Sequence, residues 1–160
     1  MNIEVLVADY SNSVHAADTI ELLNAYAEDP MGGGAPLSKH VQKNLIAELA
    51  KLPNAFSVLC YVDGAAAGLV NCLIGFSTFK CKPLVNIHDV FVAKQFRNQG
   101  LSQRLLSEVQ RVAMERGCCR LTLEVLDRNE PAKKAYSSFG FGANQIDSAK
   151  GKTLFWQKAI

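Results

Sequence analysis

Residues 85–102, VNIHDVFVAKQFRNQGLS, run from an apolar stretch through a basic, glycine-containing turn into a strongly periodic helical pattern. A strand that stops at a helix amino end makes an anion site. The first N–H groups of such a helix have no intrahelical partner, and the helix dipole puts partial positive charge there, so Gln99, Gly100, Leu101 and Ser102 can donate together to a phosphate. Arg97 adds a fixed charge beside them, and Asn98 and Gln103 complete the set of candidate contacts. Gly100 has no Cβ and lets a ligand's oxygen atoms approach the main chain, while Ser102 is small and carries a hydroxyl that can cap or donate. The chemistry these residue types point to is a pyrophosphate cradle; the plainer alternative is an ordinary basic strand-to-helix loop.

The spacing Arg97-x-x-Gly100-x-Ser102 after a strand, followed by a helix with Leu105 and Leu106, resembles the acetyl-coenzyme A (acetyl-CoA) signature of the GNAT superfamily of N-acetyltransferases, (Gln/Arg)-x-x-Gly-x-(Gly/Ala). Ser102 stands where Gly or Ala is usual. A second block follows at the family's distance: LTLEV over 121–125, then Asn129, then AYSSFGF over 135–141. Together the blocks take in roughly the second half of the chain. The resemblance implies acetyl-CoA as cosubstrate, no metal, and the GNAT fold. That fold is α/β (mixed α+β), with a mixed, mostly antiparallel sheet of six to seven strands, splayed between strands four and five and flanked by about four helices. Parallel neighbours that diverge leave main-chain groups unpaired, and a peptide-like ligand can satisfy them. The pantetheine arm of coenzyme A is such a ligand, so Val90, Phe91 and Val92 are expected to offer it their backbone, with an N–H near Val90 at the thioester carbonyl, where negative charge develops.

Amide formation from an amine and a thioester needs a neutral amine, a stabilised oxyanion and a proton for the departing thiolate. The resemblance assigns Tyr136, seven residues after Asn129, as the general acid near the cofactor sulfur; otherwise it is a half-buried aromatic packing on the sheet. Asn129 matches the family asparagine that binds pantetheine or orders the loop after strand five, and it is equally suited to be a helix cap. Glu124, expected on strand five and pointing opposite to Leu123 and Val125, is the first candidate for the base; as a structural residue it would be a solvated edge glutamate. Other family members place an acidic base on strand four, where this chain has Asn86, which takes up no proton. His88 and Asp89, two and three positions on, are substitutes, and histidine as a residue type titrates near neutral pH. Strand alternation places them on opposite sheet faces, so only one sees the acceptor cleft. Alternatively they form a structural hydrogen-bonded pair or a bulge. Lys133 and Lys134 are candidates to reach the 3′-phosphate of coenzyme A; the commoner role for such residues is a solvated helix face.

These readings amount to an acetyl-CoA-dependent N-acetyltransferase acting on a primary amine by direct attack in a ternary complex. The acceptor is a small-molecule amine or a peptide amino group. A catalytically weak acyl-CoA-binding sensor or interaction module on the same fold is the alternative. A dinucleotide-binding oxidoreductase is disfavoured, because no G-x-G-x-x-G follows an early strand.

The elements that must position these residues read off the hydrophobic pattern. Residues 3–7 alternate as a first strand, Ser13 is placed to cap a helix carrying Ala16, Ile20, Leu23 and Ala27, and that helix should stop near Asp29-Pro30. Residues 31–36, MGGGAP, read as a flexible loop and a substrate lid. Ser38 starts a second helix with Val41, Leu45, Ile46 and Leu49 inward. Residues 56–62 and 66–79 are apolar runs separated by Asp63-Gly64, a tight hairpin. Strand four is expected over 84–92, the central helix over 101–116, strand five over 121–125, another helix over 130–139 and a closing strand over 153–158.

With 160 residues, 49% hydrophobic and 20% charged, the chain reads as a single domain over 1–160 able to fill one core. The net charge of +2 is small and interspersed, which argues against a nucleic-acid or membrane-surface partner. No apolar run approaches the roughly 20 residues needed to cross a bilayer. The five cysteines form no C-x-x-C pair and the first residues show no secretory pattern, so reduced thiols and a cytoplasmic location are expected. The adjacent Cys118 and Cys119 lack zinc-ligand spacing. A homodimer through strand or helix edges is an option the family allows, with the apolar residues 154–156 contributing.

Overall fold

In the computed structural model, which describes residues 1–142 and 155–160, two long apolar runs become the central strands of the sheet. β2 (Ala55–Val62) and β3 (Ala65–Ser77) have little alternation because both of their faces are covered, as in strands sandwiched between helices. Asp63 and Gly64 join them with φ of 49° and 81°. Both values are positive, the two-residue geometry whose twist suits an antiparallel hairpin. β1 (Ile3–Val7) pairs antiparallel with β2, and β4 (Lys82–Val92) antiparallel with β3. β5 (Leu121–Leu123) pairs parallel with β4, giving the order β1-β2-β3-β4-β5.

Helices cover both faces. α1 (Ser13–Glu28) and α2 (Lys39–Ala50) lie on one side; α3 (Leu101–Glu115) lies on the other, with α4 (Glu130–Phe139) beside it. α3 buries Leu101, Leu105, Leu106, Val109, Val112 and Ala113, all on the stripe that 3.6-residue spacing brings together. They meet Val58, Cys60, Val70 and Val85 of the sheet, and each large aliphatic side chain so buried contributes about 1.5–3 kcal/mol. α3 seats closely because Gly68 lies beneath it: a Cβ there would stand 2.9 Å from Leu105 Cδ1 and 3.1 Å from the Phe91 carbonyl oxygen. On the opposite face a smaller cluster joins Leu22 of α1 to Leu59, Tyr61, Leu69 and Phe91.

Several expectations need correction. Among the described residues the sheet has five strands, not six to seven; the expected closing strand over 153–158 falls partly outside the described residues, and 155–158 carry no strand pairing. Of the apolar segment 154–156, Phe155 and Trp156 are exposed and residue 154 lies outside the description. β5 ends at Leu123 rather than 125, since its parallel ladder with β4 stops there. The cap of α1 is Asn12, not Ser13: Asn12 Oδ1 accepts from the N–H groups of Val14 (2.9 Å) and His15 (3.3 Å). Ser38 caps α2 as expected, its Oγ accepting from Val41 N.

The glycine loop is also not the loose lid its composition suggests. It folds back on the end of α1, with Gly33 N and Ala35 N donating to Ala27 O and Gly32 N and Gly34 N to Asp29 O. A Cβ at Gly32 would sit 2.0 Å from the Tyr26 carbonyl oxygen, so glycine is what allows this close return. No helix among the described residues is long and apolar enough to cross a membrane.

Candidate active site

The parallel ladder between β4 and β5 is short: Val85, Asn86 and Ile87 face Leu121, Thr122 and Leu123, and there it ends. Asn86 fastens the last rungs, its Nδ2 donating to Thr122 Oγ1 at 3.0 Å. That amide, at the position where a strand-four base was in question, is thus spent on holding the two strands together. From residue 88 onward β4 continues alone on this side.

Backbone alternation decides which groups the open edge offers. Ala93 N donates to Ala67 O of β3, so the peptide groups of Phe91 also point toward β3, while those of Val90 and Val92 point outward. Val92 O accepts from Arg97 Nε at 3.0 Å on that outer side. Of the three residues expected to present their backbone to a ligand, Val90 and Val92 face the gap; Phe91 contributes its ring.

The gap leads to the start of α3. A 3-10 turn over Lys94–Phe96 ends β4's extension, Asn98 takes φ of 62°, and Gly100 takes φ of 75° as the N-cap. Gly100 supplies no capping side chain, and the N–H groups of Gly100, Leu101 and Ser102 donate to no partner among the described residues. A Cβ at Gly100 would meet nothing within 4 Å, so the space above these donors is open. A cavity of about 350 Å³ joins the two features, lined by Val90, Phe91, Val92, Arg97, Asn98, Gly100, Leu101 and Ser102 on one wall. Asn129, which precedes α4, and Ala132, Ala135 and Tyr136 of α4, with Tyr26 of α1 and Asp29 and Met31 just after it, form the other.

Asn129 caps α4, its Oδ1 accepting from Ala132 N at 3.2 Å, and it also lines the cavity. Tyr136 is half-buried, and its ring packs edge-on against Phe141, centroids 6.0 Å apart. Burial, and then the nearby Tyr26 hydroxyl, push its pKa up to about 12, so it holds its proton at neutral pH and can act as a donor. Tyr26 is likewise raised, by burial and then by Asp89 and Asp29.

Arg97 is not a free charge. Its Nη2 bonds Asp29 Oδ2 at 2.9 Å, and its guanidinium lies 5.9 Å from the Phe91 ring centroid. The Met31 N–H, and then Arg97, hold the Asp29 carboxyl below the ordinary range. The ion pair ties the folded-back glycine loop to the basic turn across the mouth of the cavity.

Other expected contacts lie elsewhere. Gln103 Nε2 donates to Ala135 O at 2.8 Å and holds α4 against α3. Gln99 is exposed and its side-chain amide points back to Gln95 O, while its backbone N–H, the group expected to donate, has no partner among the described residues. Lys133 bonds Asp127 O and Glu130 Oε1, a local pairing away from the cavity. Glu124 lies one residue beyond β5, exposed, and lines none of the cavities described here.

His88 and Asp89 sit at a β-bulge. Asn71 opposes Asp89 but the next residue, Cys72, opposes Ile87, so His88 is the extra residue and is exposed; the bulge breaks the expected alternation, and His88 and Asp89 line one cavity rather than opposite faces. The bulge shifts the alternation: Val85, Ile87, Val90 and Val92 pack toward α3, while Asp89 and Phe91 turn to the α1 side. Asp89 Oδ2 accepts from Asn71 Nδ2 at 3.0 Å, Asn71 Oδ1 accepts from Ser57 Oγ at 2.6 Å, and Ser57 Oγ meets the Tyr10 hydroxyl at 2.7 Å. Since Ser57 spends its proton on Asn71, Tyr10 is the donor to Ser57. The chain of bonds locks the Asp89 carboxylate in one orientation.

Sequence reasoning missed Tyr26, Asp29, Asn71, Ser57 and Tyr10. Ser57 and Asn71 did leave a signal: each is a lone polar residue inside an apolar strand run, a costly placement unless it is bonded. Tyr26 and Asp29 left none, because the packing of α1 on Phe91 brings the one to the cavity and the pair with Arg97 the other. Among the described residues no cluster of three or more His, Cys, Asp or Glu side chains could hold a metal.

Comparison with known proteins follows the same lines. Residues 19–141 match the model of the acetyltransferase (GNAT) family. The thialysine N-epsilon-acetyltransferase of Bos taurus is 31% identical over 111 residues, which is 69% of this chain and 61% of that protein. The chain thus spans less than two thirds of that relative's length. Among solved structures, a probable acetyltransferase superposes with a TM-score of 0.80 at 22% identity, covering 100% of this chain and 99% of the other. AAC(6')-Iy in complex with the bisubstrate analogue CoA-S-monomethyl-acetylneamine does so with a TM-score of 0.78 at 18% identity, covering 100% of both chains. Those two likenesses concern the fold.

Proposed function

Because the chain belongs to the acetyltransferase (GNAT) family, we propose that it transfers the acetyl group of acetyl-CoA to a primary amine by direct attack, with both substrates bound at once. The observation that carries this reading is the continuous groove from the open edge of β4 to the unpartnered N–H groups at Gly100, Leu101 and Ser102. An extended amide-bearing arm fits the edge, and a diphosphate fits the helix start. Acetyl-CoA, when bound, supplies an activated thioester: its carbonyl carbon takes the amine nitrogen as the carbon–sulfur bond breaks.

The chain's own residues supply the rest. The outward N–H of Val90 stabilises the negative charge that develops on the carbonyl oxygen. Tyr136, kept protonated by burial, gives its proton to the departing sulfur. Asp89, turned by the bulge to the far side of the strand from Val90, takes the proton the amine must lose. It replaces Glu124 in that role, since Glu124 stands exposed beyond β5. Arg97 and Asp29 close the mouth of the groove.

Burial raises the Cys72 thiol, with Asp89 raising it further, and a neutral thiol is a poor nucleophile; this favours direct attack over an acetyl-cysteine route. The test is calorimetric titration with coenzyme A together with thiol release from acetyl-CoA over a panel of amines. Micromolar binding with amine-dependent release is expected. Absence of coenzyme A binding to folded protein would overturn the proposal, and binding without turnover on any amine would favour the sensor reading.

A further inference from the structure

A second cavity, of about 210 Å³, lies between α2 and the sheet on the opposite face of β4 from α3. Its walls include Leu23, Leu45, Leu49, Phe56 and Leu73, and Asp89 stands at one end with the exposed His88 beside it. Its volume is below the roughly 300–1,000 Å³ of sites for drug-sized ligands, so the occupant is small. Two observations show that it is not merely a packing gap.

α2 carries Leu45 and Leu49 toward the sheet yet buries no residue fully. Apolar side chains that stop short of an apolar floor leave area that only a ligand's own apolar surface can remove from water. The polar groups of the floor, in turn, are committed to one another through the line from Tyr10 to Ser57, Asn71 and Asp89. Among the described residues, two polar groups at this end have no partner: Asp89 Oδ1 and the exposed ring of His88. No lysine or arginine among the described residues lines the cavity, and Asp89 is its one carboxylate there.

We infer that this cavity holds the acceptor of the proposed transfer and selects a monoamine with an apolar alkyl or aryl body, its ammonium paired with Asp89 and its body under α2. The inference rests on the acetyl-transfer reading and narrows its acceptor. An amino acid such as lysine brings a carboxylate for which the cavity has no lysine or arginine, only the solvent-exposed His88 at its end, and a polycationic amino sugar brings hydroxyls and extra ammonium groups that the committed floor and apolar walls leave unpaired. The ammonium end lies at Asp89, next in sequence to Val90 on the cofactor groove, so the nitrogen is brought to the strand where the two cavities adjoin.

The experiment measures thiol release from acetyl-CoA with propylamine, butylamine, pentylamine, hexylamine and phenethylamine, against lysine, thialysine and neamine, alongside calorimetry of coenzyme A and of hexylamine on the CoA-saturated protein. Each added CH₂ should raise kcat/KM by about fourfold until the cavity is full. Leu45→Trp, which fills the space, should lower hexylamine kcat/KM by about tenfold or more with coenzyme A affinity unchanged. Asp89→Asn, which can still accept from Asn71, should weaken hexylamine binding by about tenfold or more.

A flat chain-length series, a preference for lysine, thialysine or neamine, or unchanged hexylamine binding in Asp89→Asn overturns the inference while leaving acetyl transfer intact. Failure to bind coenzyme A, or to acetylate any amine, overturns both.

Discussion

Replacing Gly100 with alanine separates the strain of its backbone from its part in the proposed phosphate contact. Gly100 has φ of 75°, where a residue with a Cβ costs about 1–2 kcal/mol, and a Cβ built there meets no atom within 4 Å. Strain is therefore the whole cost to the folded protein, with no clash to add. At about 2–4 °C per kcal/mol for a chain of this size, Tm should drop by roughly 2–8 °C. Gly64, in the β2–β3 turn, has φ of 81° and equally open surroundings, so Gly64→Ala is the matched control and should lower Tm by a similar amount.

The two variants part in ligand binding. A methyl group at position 100 stands in the space above the free N–H groups of Leu101 and Ser102 and keeps a phosphate from close approach. Losing one charge-assisted hydrogen bond costs about 1.5–3 kcal/mol, or roughly 10- to 150-fold in Kd. Calorimetric titration with coenzyme A, at a temperature where wild type and both variants are folded, reads this directly. If Gly100→Ala binds as tightly as wild type, or if Gly64→Ala weakens binding as much, the phosphate cradle is misplaced.

Tyr136→Phe should lower kcat by about 10²–10⁴-fold with little change in the KM for acetyl-CoA. The active form is the protonated hydroxyl, so a pKa pushed up to about 12 keeps it active through alkaline pH; a falling limb near pH 10 that vanishes in the variant would contradict that placement. Asp29→Asn removes a carboxyl whose pKa is lowered by the Met31 N–H and by Arg97. The stabilisation it provides is present above about pH 4 and disappears as pH falls through the lowered value. The Tm difference between wild type and variant should therefore shrink below about pH 4, and a gap that stays constant on acidification would refute the assignment. Gly68→Ala places a Cβ 2.9 Å from Leu105 Cδ1 and 3.1 Å from a backbone oxygen, and should cost about 1–3 kcal/mol by overpacking; an unchanged urea midpoint would show that α3 can move aside.

Much of the scaffold was legible in the chain because its signals are local. The apolar stripe from Leu101 to Ala113 defines α3 by its 3.6-residue period, Asp63-Gly64 can adopt the positive φ pair that a two-residue hairpin needs, and Gly100 ahead of that stripe marks a helix start with free donors. Asn129 seven residues before Tyr136 puts the cap and the tyrosine on one short helix facing one groove. Other features depend on partners distant in sequence. MGGGAP reads as loose by composition, yet its N–H groups find the carbonyls at the end of α1. Glu124 reads as a strand residue, yet β5 lasts only as long as β4 gives it partners.

Sequence alone thus determined the order of elements from β1 to α4 and the free donors at the start of α3, since these follow from periodicity, turn chemistry and the unsatisfied N–H groups of a helix end. Only the tertiary structure decided which sheet face Asp89 takes and what Arg97 does. One residue more on β4 than on β3 moves Asp89 from one sheet face to the other, and Arg97 meets Asp29 across 68 positions of chain. Neither a bulge register nor a contact at that separation is encoded in neighbouring residues; both are set by which surfaces the packed core brings within a few ångströms.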